Sequence, residues 1–147
     1  MERILILNGP NLNFLGIREP EIYGTATYED LCKTVTAWAE DLGFEAVCVQ
    51  SNHEGVLIDE LQKAHFEGFS GCVLNAGGYT HTSVALRDAV ASVGFPVVEV
   101  HLSDPEKRER FRRTDCLTEV CAAMFKGEGF ISYRNALVFL ADLQKNA

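Results

Sequence analysis

No apolar run in the 147 residues approaches the roughly 20 that a membrane-spanning helix needs. Met1-Glu2-Arg3 leads straight into Ile4-Leu5-Ile6-Leu7, too short and too early for a secretory signal. Basic side chains are in deficit, 13 against 21 acidic ones for a net charge of −8. The clustered cations that bind a phosphate backbone are therefore not expected, and neither nucleic acid nor a membrane is an expected partner. CxxC spacing is also missing. The five cysteines, Cys32, Cys48, Cys72, Cys116 and Cys121, are odd in number with no close histidine, which excludes a disulfide frame or a zinc site. They read as reduced thiols of a cytoplasmic protein. Repeats, linkers and low-complexity tracts are absent too, leaving 47% hydrophobic and 23% charged residues, the balance of an ordinary globular chain. The length predicts one domain over residues 1–147. An anionic small-molecule substrate stays open, because it answers to local rather than net charge.

What is present is alternation. Short apolar runs at Arg3 to Leu7, Phe44 to Val49, Cys72 to Leu74, Pro96 to Val100 and Val120 to Phe125 predict five strands. Between them Leu31, Val35, Trp38 and Leu42 share one helical face, with a capping box at Thr27 and Asp30 and a closing Gly43. Leu57, Leu61 and Ala64 predict a second helix closed by Gly68. Leu86, Ala89, Val90 and Val93 predict a third, opened near Thr82 and closed by Gly94. Leu137, Leu140 and Leu143 mark a terminal helix after Gly129. Continuously apolar strands interleaved with amphipathic helices predict an α/β fold, a flavodoxin-like three-layer sandwich with a five-stranded parallel sheet, ahead of a Rossmann half-domain. Ligands of such sheets bind beyond the carboxyl ends of the strands, which places a candidate site in the loops that follow them.

Those loops lack both GxGxxG and GxxxxGK[ST], which removes dinucleotide and P-loop chemistry. Asn8 and Asn75 end the first and third strands where a phosphoacceptor module would need acids. None of the five lysines, Lys33, Lys63, Lys107, Lys126 and Lys145, falls well inside them, which disfavours a Schiff base. The loops do carry Asn8 to Gly24, a connection long enough for a functional lid, then Gln50-Ser51-Asn52-His53-Glu54-Gly55, Asn75 to Ser83, and Glu99 to Pro105. The last leads into a predicted helix placing Arg108 and Arg112 on one face at i, i+4, started by Ser103 or Asp104 with Glu106 closing the box. Tyrosine, histidine, asparagine and arginine thus gather around one cleft.

Taken together, these separately placed motifs resemble the type II 3-dehydroquinate dehydratases (type II dehydroquinases), from about Ile4 to beyond Phe111. The resemblance implies a flavodoxin-like subunit of a homododecamer, a tetramer of trimers. It also implies a metal-free, cofactor-free trans-elimination of water from 3-dehydroquinate through an enolate, in the shikimate route to aromatic amino acids. A non-catalytic module of the same fold, binding a small hydroxylated carboxylate, is the alternative. Both would keep Ser103, Asn75 and Arg112; only the enzyme needs Tyr23, Arg18 and His101 together.

By residue type alone, Tyr23 is more often a turn tyrosine packing its ring. The resemblance makes it the base. A phenol titrates near about pH 10, so half-ionising it at neutral pH takes roughly 4 kcal/mol, which nearby guanidinium groups can supply. The resemblance gives that task to Arg18 and Arg108, with Arg18 also at the transition state, and has Asn11 hold a water against the enolate oxygen. Without it, Arg18 reads as a solvated charge and Asn11 as an Asx turn beside Pro10. His101 matches the general acid, its alternative being a structural histidine, and Glu99 on the same strand face is placed to orient it. Backbone N–H groups of Leu102 and Ser103 would hold the substrate carboxylate. Asn75, His81, Asp88 and Arg112 match substrate contacts, Asp88 reaching a neighbouring subunit's site. His53 and His65 read as structural or solvated. Departures from the family wording are Ala76 where proline is usual, which puts that loop's rigidity in question, Asp104-Pro105, and Arg113-Thr114-Asp115.

Overall fold

The computed structural model describes residues 1–17, 21 and 24–147. Five strands, β1 (Glu2–Asn8), β2 (Phe44–Gln50), β3 (Gly71–Asn75), β4 (Val97–His101) and β5 (Ala123–Lys126), form one parallel sheet in the order β2-β1-β3-β4-β5. Helices α1 (Tyr28–Asp41), α2 (Glu54–Phe66), α3 (Val84–Ser92) and α4 (Ile131–Lys145) cover its two faces. Strand alternation divides the core. Ile4 and Ile6 of β1 meet Leu31 and Val35 of α1 and Leu137 and Leu140 of α4, while Leu5 and Leu7 meet Leu57 and Leu61 of α2 and Leu86 and Val90 of α3. With both faces covered, an inner strand has no polar side, which is why β1 reads as an unbroken apolar run. The expected three-layer, flavodoxin-like architecture is the one observed.

Local chemistry fixes the helix ends. Thr27 and Asp30 form the full capping box, Thr27 N–H to Asp30 Oδ2 at 2.9 Å and Asp30 N–H to Thr27 Oγ1 at 3.1 Å. Gly43 and Gly68 follow α1 and α2 with φ of 85° and 76°, the left-handed turn that glycine permits without a Cβ clash. α3 opens where expected, beside Thr82, and departs from expectation at its close. Its cap is Ser83, whose Oγ accepts from Leu86 N–H at 2.9 Å, and it leaves through extended Val93. Gly94 is instead needed for close approach: its N–H donates to His65 Nδ1 at 2.9 Å, and a Cβ there would press on that ring at 3.2 Å. β5 begins at Ala123, because Thr118–Val120 is a 3-10 turn rather than strand. Leu143, expected on the buried stripe of α4, is 41% exposed.

The largest correction lies after β4. No single helix carries Arg108 and Arg112. Two 3-10 turns, Pro105–Lys107 and Arg110–Arg113, are separated by extended backbone at Arg108 (ψ −158°) and Glu109 (ψ 148°). The segment offers a helix no apolar stripe to bury, since Phe111 is itself 63% exposed, and short helices without tertiary packing are marginal. Polar anchors hold it residue by residue instead: Lys126 pairs with Asp104 (3.3 Å) and Glu106 (3.1 Å), and Arg112 with Glu109 (2.8 Å). The expected capping box is replaced by Asp104 alone, its Oδ1 accepting from Glu106 N–H at 3.1 Å.

Candidate active site

The strand order reverses direction between β1 and β3, and beyond the carboxyl ends of β1, β3 and β4 lies a cleft of about 140 Å3. Its walls include Asn11 and Leu12 after β1, Asn75 and His81 at β3 and the 3-10 turn that follows it, and His101, Leu102, Ser103, Arg108 and Arg112 after β4. Eight of the residues singled out from the sequence therefore meet around one space. Asp88 does not: it is exposed on α3, away from the cleft of its own chain. Tyr23 and Arg18 lie outside the described residues.

The sheet register sets the floor. Asn8 and Asn75 close β1 and β3 side by side, with Gln50 beside Asn8 at the end of β2. A buried hydroxyl that the sequence reading passed over joins the two asparagines. Tyr133 of α4 donates from its OH to Asn8 Oδ1 at 2.6 Å and accepts from Asn75 Nδ2 at 3.0 Å. Burial pushes its phenol well above the ordinary range, so it remains a neutral donor. Asn75 Oδ1 accepts from Gly77 N–H at 3.2 Å, leaving the second Nδ2 hydrogen for a ligand. The available signal was a tyrosine in the apolar stripe of α4, whose hydroxyl must find a partner once buried.

Backbone contact is unusually close where the β1 and β3 loops touch. Gly9 N–H donates to Asn75 O at 2.7 Å, and a Cβ on Gly9 would lie 2.5 Å from the carbonyl oxygen of Ala76. Ala76 is fully buried with φ −79°, a value proline also takes, so packing holds this turn without the ring.

His101 ends β4 and is 7% exposed. Its Nε2 lies 2.5 Å from Oε2 of Glu99, a residue with no exposed surface, whose Oε1 accepts from Thr118 Oγ1 at 2.8 Å. With Nε2 donating to that carboxylate, Nδ1 is the ring nitrogen left for a ligand. Asp115 brings a second carboxylate within 3.9 Å of Nε2, fixed by Leu117 N–H (2.8 Å) and Thr118 N–H (3.1 Å). Burial raises the Glu99 carboxyl above its usual range against the pull of His101, and the neighbouring Asp115 adds to the rise. Burial also works on Asp115, but hydrogen bonds from Glu99 and the two backbone N–H groups leave it below its usual range. Glu99, His101 and Asp115 each place one ligand-type atom within 4.8 Å of the others, the one such group among the described residues. Here those atoms are engaged with one another and with their supporting donors.

The remaining groups suit an oxygen-rich anion. His81 Nδ1 lies 2.7 Å from Thr114 O, so Nδ1 carries the hydrogen and Nε2 is the free acceptor. The Arg108 and Arg112 side chains, 12% and 20% exposed, flank Glu109, whose carboxyl is held low chiefly by the hydrogen bond from Arg112. Two largely buried guanidinium groups beside an imidazole can hold a carboxylate next to a group able to exchange protons.

A parallel α/β sheet with a buried carboxylate–histidine pair and two arginines around a cleft at its switch point fits the class of small-molecule enzymes. Comparison with known proteins narrows it. A family model described as Dehydroquinase class II matches residues 2–141. The 3-dehydroquinate dehydratase 1 of Corynebacterium efficiens is 54% identical over 147 residues, 99% of this chain and 97% of that protein. The type II dehydroquinase of Butyrivibrio crossotus superimposes with a TM-score of 0.93 at 46% identity, covering 95% of this chain and 97% of that one. That of Propionibacterium acnes gives 0.93 at 33% identity, with 97% of each chain covered. The chain belongs to the class II dehydroquinase family.

Proposed function

We propose that this chain, as one catalytic domain, converts 3-dehydroquinate to 3-dehydroshikimate by trans-elimination of water, in the shikimate route to aromatic amino acids. The observation that carries the assignment of roles is the cleft that joins His101, backed by Glu99, to Asn11, Asn75, His81, Ser103, Arg108 and Arg112. Tyr23, as tyrosinate, removes the proton beside the ketone, and Arg18 with Arg108 keeps the phenol ionised. Electrons move into the carbonyl to give an enolate, whose oxygen is met by a water held by Asn11. The enolate then expels the hydroxyl, which takes a proton from His101 Nδ1 and departs as water; return of the proton from Tyr23 to His101 closes the cycle. The Leu102 and Ser103 N–H groups and Arg112 hold the substrate carboxylate, while Asn75 and His81 hold its hydroxyls.

Membership of the family also supports a homododecamer, a tetramer of trimers, in which Asp88 serves a neighbouring site. Its exposure on α3, one turn from Val84 (61% exposed), supports that reading. Five free thiols support a cytoplasmic location; no helix among the described residues is long and apolar enough to cross a membrane.

The test is the ultraviolet rise as 3-dehydroquinate becomes a conjugated enone carboxylate, using pure oligomeric protein treated with EDTA. No rise sinks the proposal. Borohydride added during turnover is expected to leave the activity intact, since no lysine imine forms. Tyr23→Phe is expected to abolish turnover while a substrate analogue still binds; turnover near the parent rate rejects Tyr23 as the base.

A further inference from the structure

Asn11 is the one non-glycine residue among the described residues with left-handed backbone, φ 71° and ψ −3°. Asparagine tolerates that region better than most residues but does not prefer it, so something must hold it there. Its N–H donates to Oδ1 of Asn52, 3.0 Å away in the loop between β2 and α2. The same Oδ1 accepts from Gln50 Nε2 at 3.2 Å, and Gln50 also reaches the carbonyl of Gly9 at 3.1 Å. The main-chain carbonyl of Asn52 accepts from Tyr79 OH at 3.0 Å, in the turn after β3. One residue thus ties together the two loops that bring Asn11 and His81 to the cleft, although Asn52 itself is not part of the cleft wall. Without this acceptor the Asn11 N–H turns to water, and the bond from Phe14 N–H to Asn11 O at 2.9 Å is left to resist relaxation of φ to negative values. Such a rotation swings the carboxamide away from the space it now borders.

We propose that Asn52 is a positioning residue for the reaction: its Oδ1 locks Asn11 in the left-handed conformation that presents the Asn11 carboxamide to the cleft. The inference rests on the reading of Asn11 given under Proposed function. It requires that loss of the acceptor act through Asn11 on the chemical step, and only weakly on substrate capture by Ser103, Arg112 and His81.

The experiment is a double-mutant cycle on the full oligomeric protein, with kcat and KM measured separately. Asn52→Ala is expected to lower kcat by about 10- to 100-fold, the scale set by misplacing one group by about 1 Å, while KM moves less than about threefold. Asn52→Asp keeps an acceptor for the Asn11 N–H and is expected to recover kcat to within about fivefold of the parent. Asn11→Ala with Asn52→Ala is expected to be no slower than Asn11→Ala alone, because both act on one group. A parental kcat in Asn52→Ala, when Asn11→Ala is slow, overturns the positioning role and leaves the reading of Asn11 standing. Effects that multiply in the double variant also overturn it. A parental kcat in Asn11→Ala overturns the reading of Asn11, and the inference falls with it. If Asn52→Ala does not assemble, Asn52→Ser, whose hydroxyl is too short to reach, takes its place with the same expectations.

Discussion

At the floor of the cleft Asn75 and His101 close β3 and β4, 4% and 7% exposed, Asn75 held by buried Tyr133 of α4 and His101 by buried Glu99 of its own strand. At its rim Asn11, Arg108 and Arg112 stand on 3-10 turns and extended links, held by hydrogen bonds and ion pairs that water can reach. The two regions divide the work. Strand ends and buried hydrogen-bond partners hold the floor side chains in fixed positions. The rim arginines, on 3-10 turns and extended links, can adjust as a charged substrate enters. Substitution of the floor histidine should therefore strike the chemical step, loss of the tyrosine beneath Asn75 should strike stability and substrate hold, and loss of the rim arginine Arg112 should strike substrate capture.

The largest expected effect tests the floor. His101→Ala is predicted to lower kcat by about 10²- to 10⁴-fold, the range for removing a positioned acid, with a much smaller change in KM. Stopped-flow absorbance on the oligomer separates the two, and a kcat within about threefold of the parent removes His101 from the chemistry. Next comes the rim. Arg112→Ala is predicted to raise KM by about 10- to 100-fold, as expected for a lost charge-assisted hydrogen bond to the substrate carboxylate. Its melting temperature should move little, because the partner Glu109 is half exposed and the pair is screened by solvent. Loss of kcat with KM unchanged would erase the distinction between floor and rim.

How much of this was legible in the sequence follows the same division. β1, β3 and β4 read directly as apolar runs because both sheet faces are covered, and the residues ending them could be placed at the cleft before any coordinates. The Thr27 and Asp30 box and the left-handed glycines were equally plain, being local chemistry. The segment from Ser103 to Arg113 was misread as a helix because its i, i+4 arginines fit helical spacing; what decides its shape is the lack of an apolar stripe and the pull of Lys126 across the sheet edge. Tyr133, Asn52 and Thr118 act through partners 19 to 125 residues away. No local pattern encodes such contacts.

Tyr133→Phe probes the floor without touching the ligand. It removes one hydroxyl and strands Asn8 Oδ1 and Asn75 Nδ2 in the core, at a cost of about 1–3 kcal/mol. Urea unfolding should show that loss with an unchanged m value, and KM should rise as Asn75 loses its anchor. Loss of stability with KM intact would make the network a packing device rather than the support of the floor.

The smallest effect concerns pH. Burial raises the Glu99 carboxyl in the folded protein, so the folded state binds that proton more tightly than the unfolded chain does. Its stabilising contribution is complete below the unfolded titration, near about pH 4.3, and is lost as pH rises through the folded value. Glu99→Gln keeps an acceptor for His101 Nε2–H and contact with Thr118 but has nothing to ionise. The melting temperature of the variant relative to the parent should therefore climb as pH rises from about 4.3 through the folded titration of Glu99. The rim offers the contrast: the Glu109 carboxyl, held low chiefly by Arg112, stabilises above its unfolded value and is lost as pH falls through the folded one. Glu109→Gln should thus fall behind the parent as pH rises from about 3 to 5, the opposite slope to that of Glu99→Gln. Two parallel slopes would mean that floor and rim share one electrostatic environment.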